Sequence, residues 1–263
     1  PICDILTENN AWAIPLPDDW EYYLLSNLIS FYVDNRGKTA PTEDAGIPLI
    51  ATNCIKNENL YPTYERIRYV SRDTYDEWFR AHPEPNDIII VNKGTPGLTN
   101  LVPDPVDFVI AQDMMAIRAN EQIVYPLYLF AALRSPHFLA QVNALTVGTT
   151  IPHLKKGDFD KLIIPVPPLH IQKEIGNLYI NFSYKIDANR RINETLLNTI
   201  RTIFKSWFID FDPVHTRIEN VHINGLDNDI LDLFPVSFDE SQFGEIPKGW
   251  QVKSIGDVVD VVG

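Results

Sequence analysis

The junction between a proline-bounded strand and a long uninterrupted helix constrains this chain more than any other feature. From Gly148 to Phe208 it reads GTTIPHLKKGDFDKL, then IIPVPPL, then a stretch that no proline interrupts before Pro213. Roughly 37 residues after Pro168 can therefore be helical, about 55 Å at 1.5 Å per residue. Such a helix exceeds what one compact domain needs, which indicates a scaffold or a ruler rather than an enzyme.

The apolar residues of this segment recur every three or four positions, the spacing of one helix face. Asn189 and Asn193 interrupt the stripe near its middle, and a buried Asn on a coiled-coil seam fixes register and partner at a cost in stability. The segment is therefore predicted to be a coiled-coil spacer, with an ordinary core helix as the alternative. The predicted partner-facing residues are Ile175, Leu178, Phe182, Ile186, Asn189, Leu196, Ile203 and Trp207.

Before the helix, short runs of β-branched and aromatic residues alternate with turn-forming residues, which is the pattern of strands. The predicted strands are Ile47 to Ala51, Arg66 to Val70, Asp87 to Val91, Phe108 to Ala111 and Met114 to Arg118. The predicted helices are Ser71 to Arg80, Tyr125 to Leu133 and Pro136 to about Leu145, with Ser71 and Ser135 as N-caps. Residues 1–165 are thus predicted to form one α+β domain, whose first 35 residues are an entry segment with a turn at Pro17–Asp19. Residues 166–212 are predicted to form the spacer helix.

The end of the chain repeats its beginning. IPLPDDW, which ends at Trp20, leads into Leu25–Ile29, and IPKGW, which ends at Trp250, leads into Ile255–Val259 at an offset of 230 residues. Self-similarity at a long period indicates a repeated structural unit. Residues 213–263 are therefore predicted to be an acidic linker followed by the start of a second unit. The chain is then either half of a two-domain protein or a half-unit that dimerises.

The net charge of −13 is concentrated at the two ends of the chain. Residues 1–35 carry −6 and residues 207–263 carry −8, which leaves +1 for residues 36–206. A DNA-binding domain usually shows a basic face. In this chain such a face must be local, or a partner must supply it.

Composition and motifs argue against membrane, metal and catalytic classes. The hydrophobic fraction of 45% is ordinary for a globular protein, and no run is long enough to cross a bilayer, so a cytoplasmic location is expected. Cys3 and Cys54 cannot build a disulfide framework, and the histidines lack metal-ligand spacing, so no metal site is expected. Val166–Leu169 lacks the Asn of an adenine-methylase motif, and no Lys follows an acidic residue at nuclease spacing. No catalytic residues are expected.

Several pieces of the chain occur in the order found in one protein family. They are PxxW at Pro17–Trp20, RGK at 36–38, GIPLI at Gly46–Ile50, DIIIVNKG at Asp87–Gly94, GTT at 148–150, IIPVPPLHIQKEI at Ile163–Ile175, KIDAN at Lys185–Asn189 and FKSWF at Phe204–Phe208. In these pieces the chain resembles the DNA-specificity (S) subunit of type I restriction-modification systems. A full family member carries two recognition domains and two helical spacers, whereas this chain has one of each.

The resemblance implies a non-catalytic subunit whose target recognition domain reads one half of a split sequence in duplex DNA. The helix would set the distance to the other half. Methylase (M) subunits would dock, bring S-adenosylmethionine and the chemistry, and connect to the restriction (R) subunit, so the chain needs no cofactor of its own. A natural half-subunit would form a homodimer through the helix. The alternative is a homodimeric coiled-coil scaffold, or a methylase regulator, without DNA readout of its own.

Contact with DNA requires Lys, Arg or backbone amides at phosphates, and Arg, Lys, Asn or Gln on loops that reach base edges. Four clusters in the first domain have this character. The predicted DNA contacts are Arg36 and Lys38; Arg66 and Arg68, expected to share one face of a strand; Lys93, Gly94 and Thr95; and Thr149, Thr150, Lys155 and Lys156. Each is equally compatible with ordinary surface charge, and Gly94 and Gly97 with turn geometry alone.

Overall fold

A computed structural model describes residues 15–35, 38–146, 151–219 and 227–259 of the chain. These residues divide into two compact units, one up to Ala188 and the other from Asn189. The first unit mixes short strands with helices, which confirms the predicted α+β class. No helix in the described ranges is both long and apolar enough to cross a membrane.

An antiparallel sheet of four strands forms the centre of the first unit. Its order is β2 (Ile29–Val33), β8 (Met114–Ala119), β5 (Ile88–Val91) and β6 (Thr99–Leu101). Side chains of β5 alternate between two buried cores, with Ile88 and Ile90 on one face and Ile89 and Val91 on the other. Because both faces are covered, this strand is an unbroken apolar run instead of an alternating one.

A smaller sheet contributes to the second of these cores, in the order β4 (Arg68–Val70), β3 (Ile47–Ile50) and β7 (Val109–Ile110). All five predicted strands are thus present, with bounds that differ by one or two residues. The Ser71 hydroxyl accepts the Thr74 amide at 3.1 Å, as an N-cap does. The helix predicted over Ser71 to Arg80 is instead centred on a short π-helix, Thr74–Trp78.

The entry segment contains two strands that the sequence pattern did not predict. It contains β1 (Glu21–Leu24), which pairs antiparallel with β9 (Ile163–Val166), and β2 of the central sheet. The Pro17–Asp19 turn is confirmed, since the Trp20 amide donates to the Pro17 carbonyl at 3.0 Å. Local pattern missed these strands because their partners lie far along the chain, and strand formation depends on such pairing.

Three helices complete the first core: α1 (Pro126–Leu133), α2 (Pro136–Thr146) and the start of α3 (Leu169–Phe208). The Ser135 hydroxyl accepts the Phe138 amide at 3.1 Å, which confirms the predicted cap of α2. The predicted long helix is also confirmed, because α3 runs without a break for 40 residues, about 60 Å at 1.5 Å per residue.

The inner face of α3 is formed by Gln172, Gly176 and Ile180, which are buried at intervals of four residues. A Cβ at Gly176 would lie 2.7 Å from the Tyr128 nitrogen and 2.9 Å from the Leu127 carbonyl carbon, so only glycine fits this crossing with α1. The Gln172 side chain accepts the Tyr125 amide at 2.7 Å and donates to the Pro167 carbonyl at 2.8 Å. The close approach of Gly176 to the α1 backbone and the hydrogen bonds of the buried Gln172 side chain therefore fix the start of α3.

The second unit contains α4 (Asp212–Glu219), α5 (Asn228–Leu231) and a hairpin of β10 (Phe238–Ser241) and β11 (Gly244–Pro247). Its Pro247–Trp250 turn has the same hydrogen bond as the Pro17–Trp20 turn, 3.0 Å from Trp amide to Pro carbonyl. A 3₁₀ turn follows each, Leu25–Leu28 and Ile255–Asp257. Leu25 is fully buried, whereas its counterpart Ile255 is 80% exposed. The repeated sequence thus repeats its local conformation but not its burial.

Candidate nucleic-acid interface

The loop that follows β5 presents Lys93, Gly94 and Thr95 to solvent. The amides of Asn92 and Lys93 donate to the Asp113 carbonyl at 2.8 and 3.2 Å. Gly94 (φ 88°) has no atom within 4 Å of a Cβ built on it, so its left-handed backbone alone explains the glycine. At Gly97 (φ 89°) a Cβ would lie 3.3 Å from Leu139 and Val142, so this end of the loop rests on α2.

A second loop lies directly beside the first. Lys93 and His153 form an isolated antiparallel bridge, and the Gly94 amide donates to the Pro152 carbonyl at 3.0 Å. Lys155 and Lys156 follow and are both exposed. The Lys156 ammonium sits 3.9 Å from the centroid of the Tyr32 ring on β2, a cation–π contact that holds this lysine over the sheet.

A third loop joins the same surface through the turn between β7 and β8. The side-chain Nε2 of Gln112 donates to the Thr39 hydroxyl at 2.9 Å, and the side-chain Nδ2 of Asn35 donates to the Ile110 carbonyl at 2.7 Å. Lys38, next to Thr39, is exposed. The loop around Lys93 is therefore hydrogen-bonded directly to the loop around Lys155, and through residues 112 and 113 to the loop around Lys38. We call this surface the lysine face.

The charges of the lysine face are arranged by local contacts. Asp158 accepts the Lys155 amide at 2.9 Å and the Lys161 ammonium at 2.8 Å. Burial alone would raise the pKa of Asp158, but the hydrogen bonds and charges of these lysines outweigh burial and lower it. Because Lys161 is committed to Asp158, the exposed cations of this face are Lys38, Lys93, Lys155 and Lys156.

The predicted pair Arg66 and Arg68 does not share a strand face. Arg66 has a left-handed backbone (φ 52°) and precedes β4, which begins at Arg68. The period-2 alternation assumed for the pair therefore does not reach Arg66. Both side chains are exposed, and within the described ranges no hydrogen bond or bridge connects them to the lysine face. Arg36, Thr149 and Thr150 lie outside the described residues.

Sequence reasoning missed the turn residues Gln112 and Asp113, and His153. None of them belongs to a charged cluster in the sequence, so composition could not single them out. The signal that finds them is tertiary, because each is hydrogen-bonded or bridged to a loop from another part of the chain. Among the described residues, no group of His, Cys, Asp or Glu is arranged to hold a metal ion.

The predicted partner-facing stripe of α3 is largely exposed. Leu178, Phe182, Ile186, Leu196 and Ile203 are between 40% and 61% accessible, and Asn189 is exposed among them. The two ends of the stripe differ, since Ile175 packs partly against the core of the first unit and Trp207 packs against Phe234 in the second. The stretch of α3 from Leu178 to Ile203 therefore has an exposed apolar face that no other element covers in the described ranges.

Comparison with known proteins gives one consistent result. The model of the type I restriction modification DNA specificity domain matches residues 17–198. The MjaIX specificity subunit of Methanocaldococcus jannaschii is 28% identical over 255 residues, 94% of this chain and 53% of that protein. The HindI specificity subunit of Haemophilus influenzae is 30% identical over 115 residues, 43% of this chain and 25% of that protein. The chain thus spans about half the length of the MjaIX subunit, and its match covers a smaller share of the HindI subunit.

A solved structure supports the fold. The HsdS subunit from Thermoanaerobacter tengcongensis is similar with a TM-score of 0.51 at 19% identity, over 81% of this chain and 52% of that one. At that identity the likeness concerns the fold alone, an α+β domain with a long helix. Since the family model covers more than half of the residues, from the PxxW turn to well inside α3, the chain belongs to the family of type I restriction-modification DNA specificity subunits.

Proposed function

We propose that this chain reads one half of a bipartite DNA sequence through the lysine face, and that α3 sets the distance to the other half. Methylase subunits would supply S-adenosylmethionine and the chemistry, and the restriction subunit would join through them. The observation that carries the proposal is that three loops, distant from one another in sequence, are hydrogen-bonded together in a member of the specificity family.

The lysine face has the two kinds of group that DNA recognition needs. Exposed ammonium groups can neutralise phosphates, and the loop around Gly94 offers backbone next to them. Thr95 is an exposed polar side chain on the loop after β5, a position from which a base edge can be reached. The chain as a whole is acidic, so binding is expected to depend on this local surface and on the assembled complex.

The exposed stripe of α3 suits a second long helix. Leu178 and Phe182 are each more than half accessible, and burying such a side chain stabilises an interface by about 1.5–3 kcal/mol. A polar Asn189 among them would fix the register of the pair. The second helix would come from the remainder of a two-domain protein or from a second copy of this chain. A twofold pairing of copies would make the target an interrupted palindrome.

The proposal separates two surfaces, and the test perturbs each alone. Replacing Lys93 and Thr95 by Ala should weaken binding of the methylase complex to duplex DNA and leave assembly intact. Loss of one phosphate contact should reduce the slope of log affinity against log salt by about 0.9. Arg80→Ala is the matched control, since it also removes an exposed cation, outside the lysine face.

The double variant Leu178→Gln with Phe182→Gln is expected to do the reverse, losing assembly while the lysine face stays intact. These side chains are exposed, so the first unit should fold normally while helix pairing is lost. Co-purification with the methylase subunit and gel-shift titration should be measured for every variant. Equal DNA affinity of the loop variant and the wild type would refute the reading surface. A helix variant that keeps its partners but loses DNA would refute the assignment of the stripe.

A further inference from the structure

Asp113 occupies the junction of the lysine face. Its carbonyl accepts the amides of Asn92 and Lys93, and its neighbour Gln112 holds Thr39. The residue is exposed, and its backbone is left-handed, with φ 73°. Asp tolerates this conformation better than most residues, and strained backbones concentrate at functional sites.

The carboxylate of Asp113 is an unexpected group on a surface that would meet phosphates. Within the described ranges this carboxylate forms no ion pair, although the backbone amide of Lys93 donates to the Asp113 carbonyl. An ionised carboxylate only accepts hydrogen bonds, so against DNA it must meet a donor or else repel the backbone. In the major groove the donors are the exocyclic amino groups of bases, cytosine N4 and adenine N6.

We propose that Asp113 is a specificity-determining residue that accepts a hydrogen bond from a base amino group, with cytosine N4 as its partner. The inference rests on the proposed function, because it requires the lysine face to lie against DNA. Cytosine is favoured over adenine because adenine presents a donor beside an acceptor, which an amide matches and a carboxylate does not. The lysines around Asp113 would bind phosphates without regard to sequence and hold the carboxylate at the base edge.

The alternative is that Asp113 serves only the turn. In that case any residue that adopts a left-handed backbone should replace it. Asp113→Asn and Asp113→Gly both satisfy this condition, and both remove the charge. They differ in what they present to a base, because Asn offers a donor and an acceptor while Gly offers neither. Asp73→Asn is the matched control, since Asp73 is an exposed acid at the start of the π-helix, outside the lysine face.

The experiment is selection from a randomised duplex library by the assembled methylase complex containing each variant. The wild type should require cytosine at one position of the half-site. Asp113→Gly should relax that position, lowering the preference for cytosine roughly 5- to 150-fold. Asp113→Asn should shift the preference toward adenine. Both variants should keep the salt dependence of the wild type, because no phosphate contact is lost.

Three outcomes would overturn the inference. If both variants select the wild-type sequence, Asp113 serves the turn alone. If they lose affinity for all sequences equally, the residue supports the loop but reads no base. If Asp73→Asn relaxes the same position, the effect is one of general charge. A wild-type complex that selects no sequence at all would instead refute the proposed function, on which this inference depends.

Discussion

Replacement of Gln172 by Leu should destabilise the packing of the start of α3 within the first unit. Gln172 is 2% exposed, accepts the Tyr125 amide at 2.7 Å and donates to the Pro167 carbonyl at 2.8 Å. A third contact, to the Ile123 carbonyl, is longer at 3.3 Å. Leu fills nearly the same volume, so the change removes hydrogen bonds without opening a large cavity.

The expected magnitude follows from the groups left without partners. A buried donor or acceptor without a partner costs about 1–3 kcal/mol, and Gln172→Leu leaves two such groups, the Tyr125 amide and the Pro167 carbonyl. The added apolar burial of Leu offsets roughly 1 kcal/mol. Two groups cost about 2–6 kcal/mol, so after this offset we expect the free energy of unfolding to fall by about 1–5 kcal/mol, a large share of the stability of a small domain.

Two measurements check this expectation. Urea denaturation gives the loss in the free energy of unfolding, and hydrogen exchange at the Tyr125 amide reports the broken contact directly. Lys173→Leu is the control, because it introduces the same side chain at an exposed neighbouring position and should change stability by less than about 0.5 kcal/mol. Unchanged protection of the Tyr125 amide, or a loss below that control level, would refute the reasoning.

Two further changes test other parts of the first unit. Gly176→Ala should destabilise the chain by about 1–2 kcal/mol, because overpacking against the α1 backbone at 2.7 Å outweighs a helix-propensity gain of roughly 1 kcal/mol. The control is Asn181→Ala, at an exposed position of the same helix, which should stabilise the chain slightly in the same denaturation series. Burial lowers the pKa of His82 below its ordinary value of 6.5, so the unfolded chain binds the proton first. The stability that His82 contributes is thus present above about pH 6.5 and lost as pH falls through the lowered value. His82→Phe, which keeps the ring stacked on Tyr75, should flatten stability between pH 7.5 and 5.5, and an unchanged pH profile would count against this cause.

The parts of the fold that the sequence predicted are those set by neighbouring residues. The run Ile88–Val91 identifies a strand buried on both faces, and Ser135 followed by Pro136 identifies the start of α2. The continuity of α3 follows from the absence of proline between Pro168 and Pro213. In each case the determining interaction spans only a few positions, so pattern alone is sufficient.

The parts that the sequence did not predict depend on distant partners. β1 becomes a strand by pairing with β9, and the Asp113 carbonyl connects loops that are separate in sequence. Arg66 was misplaced because a left-handed residue interrupts the extended chain just before β4. The lysine clusters were recognisable individually, but only the tertiary hydrogen bonds show which of them share a surface.

The charge distribution and the proposed reading surface fit together physically. Binding of lysines to phosphates is independent of sequence, and each such contact strengthens binding to every competing site as well. A net charge of −13 limits this general attraction. Discrimination then depends more on groups that meet base edges, and a carboxylate such as Asp113 gains attraction only where a donor stands opposite it. An acidic chain that reads DNA through a small lysine face is therefore expected to bind weakly to random DNA and to rely on its assembled complex for affinity.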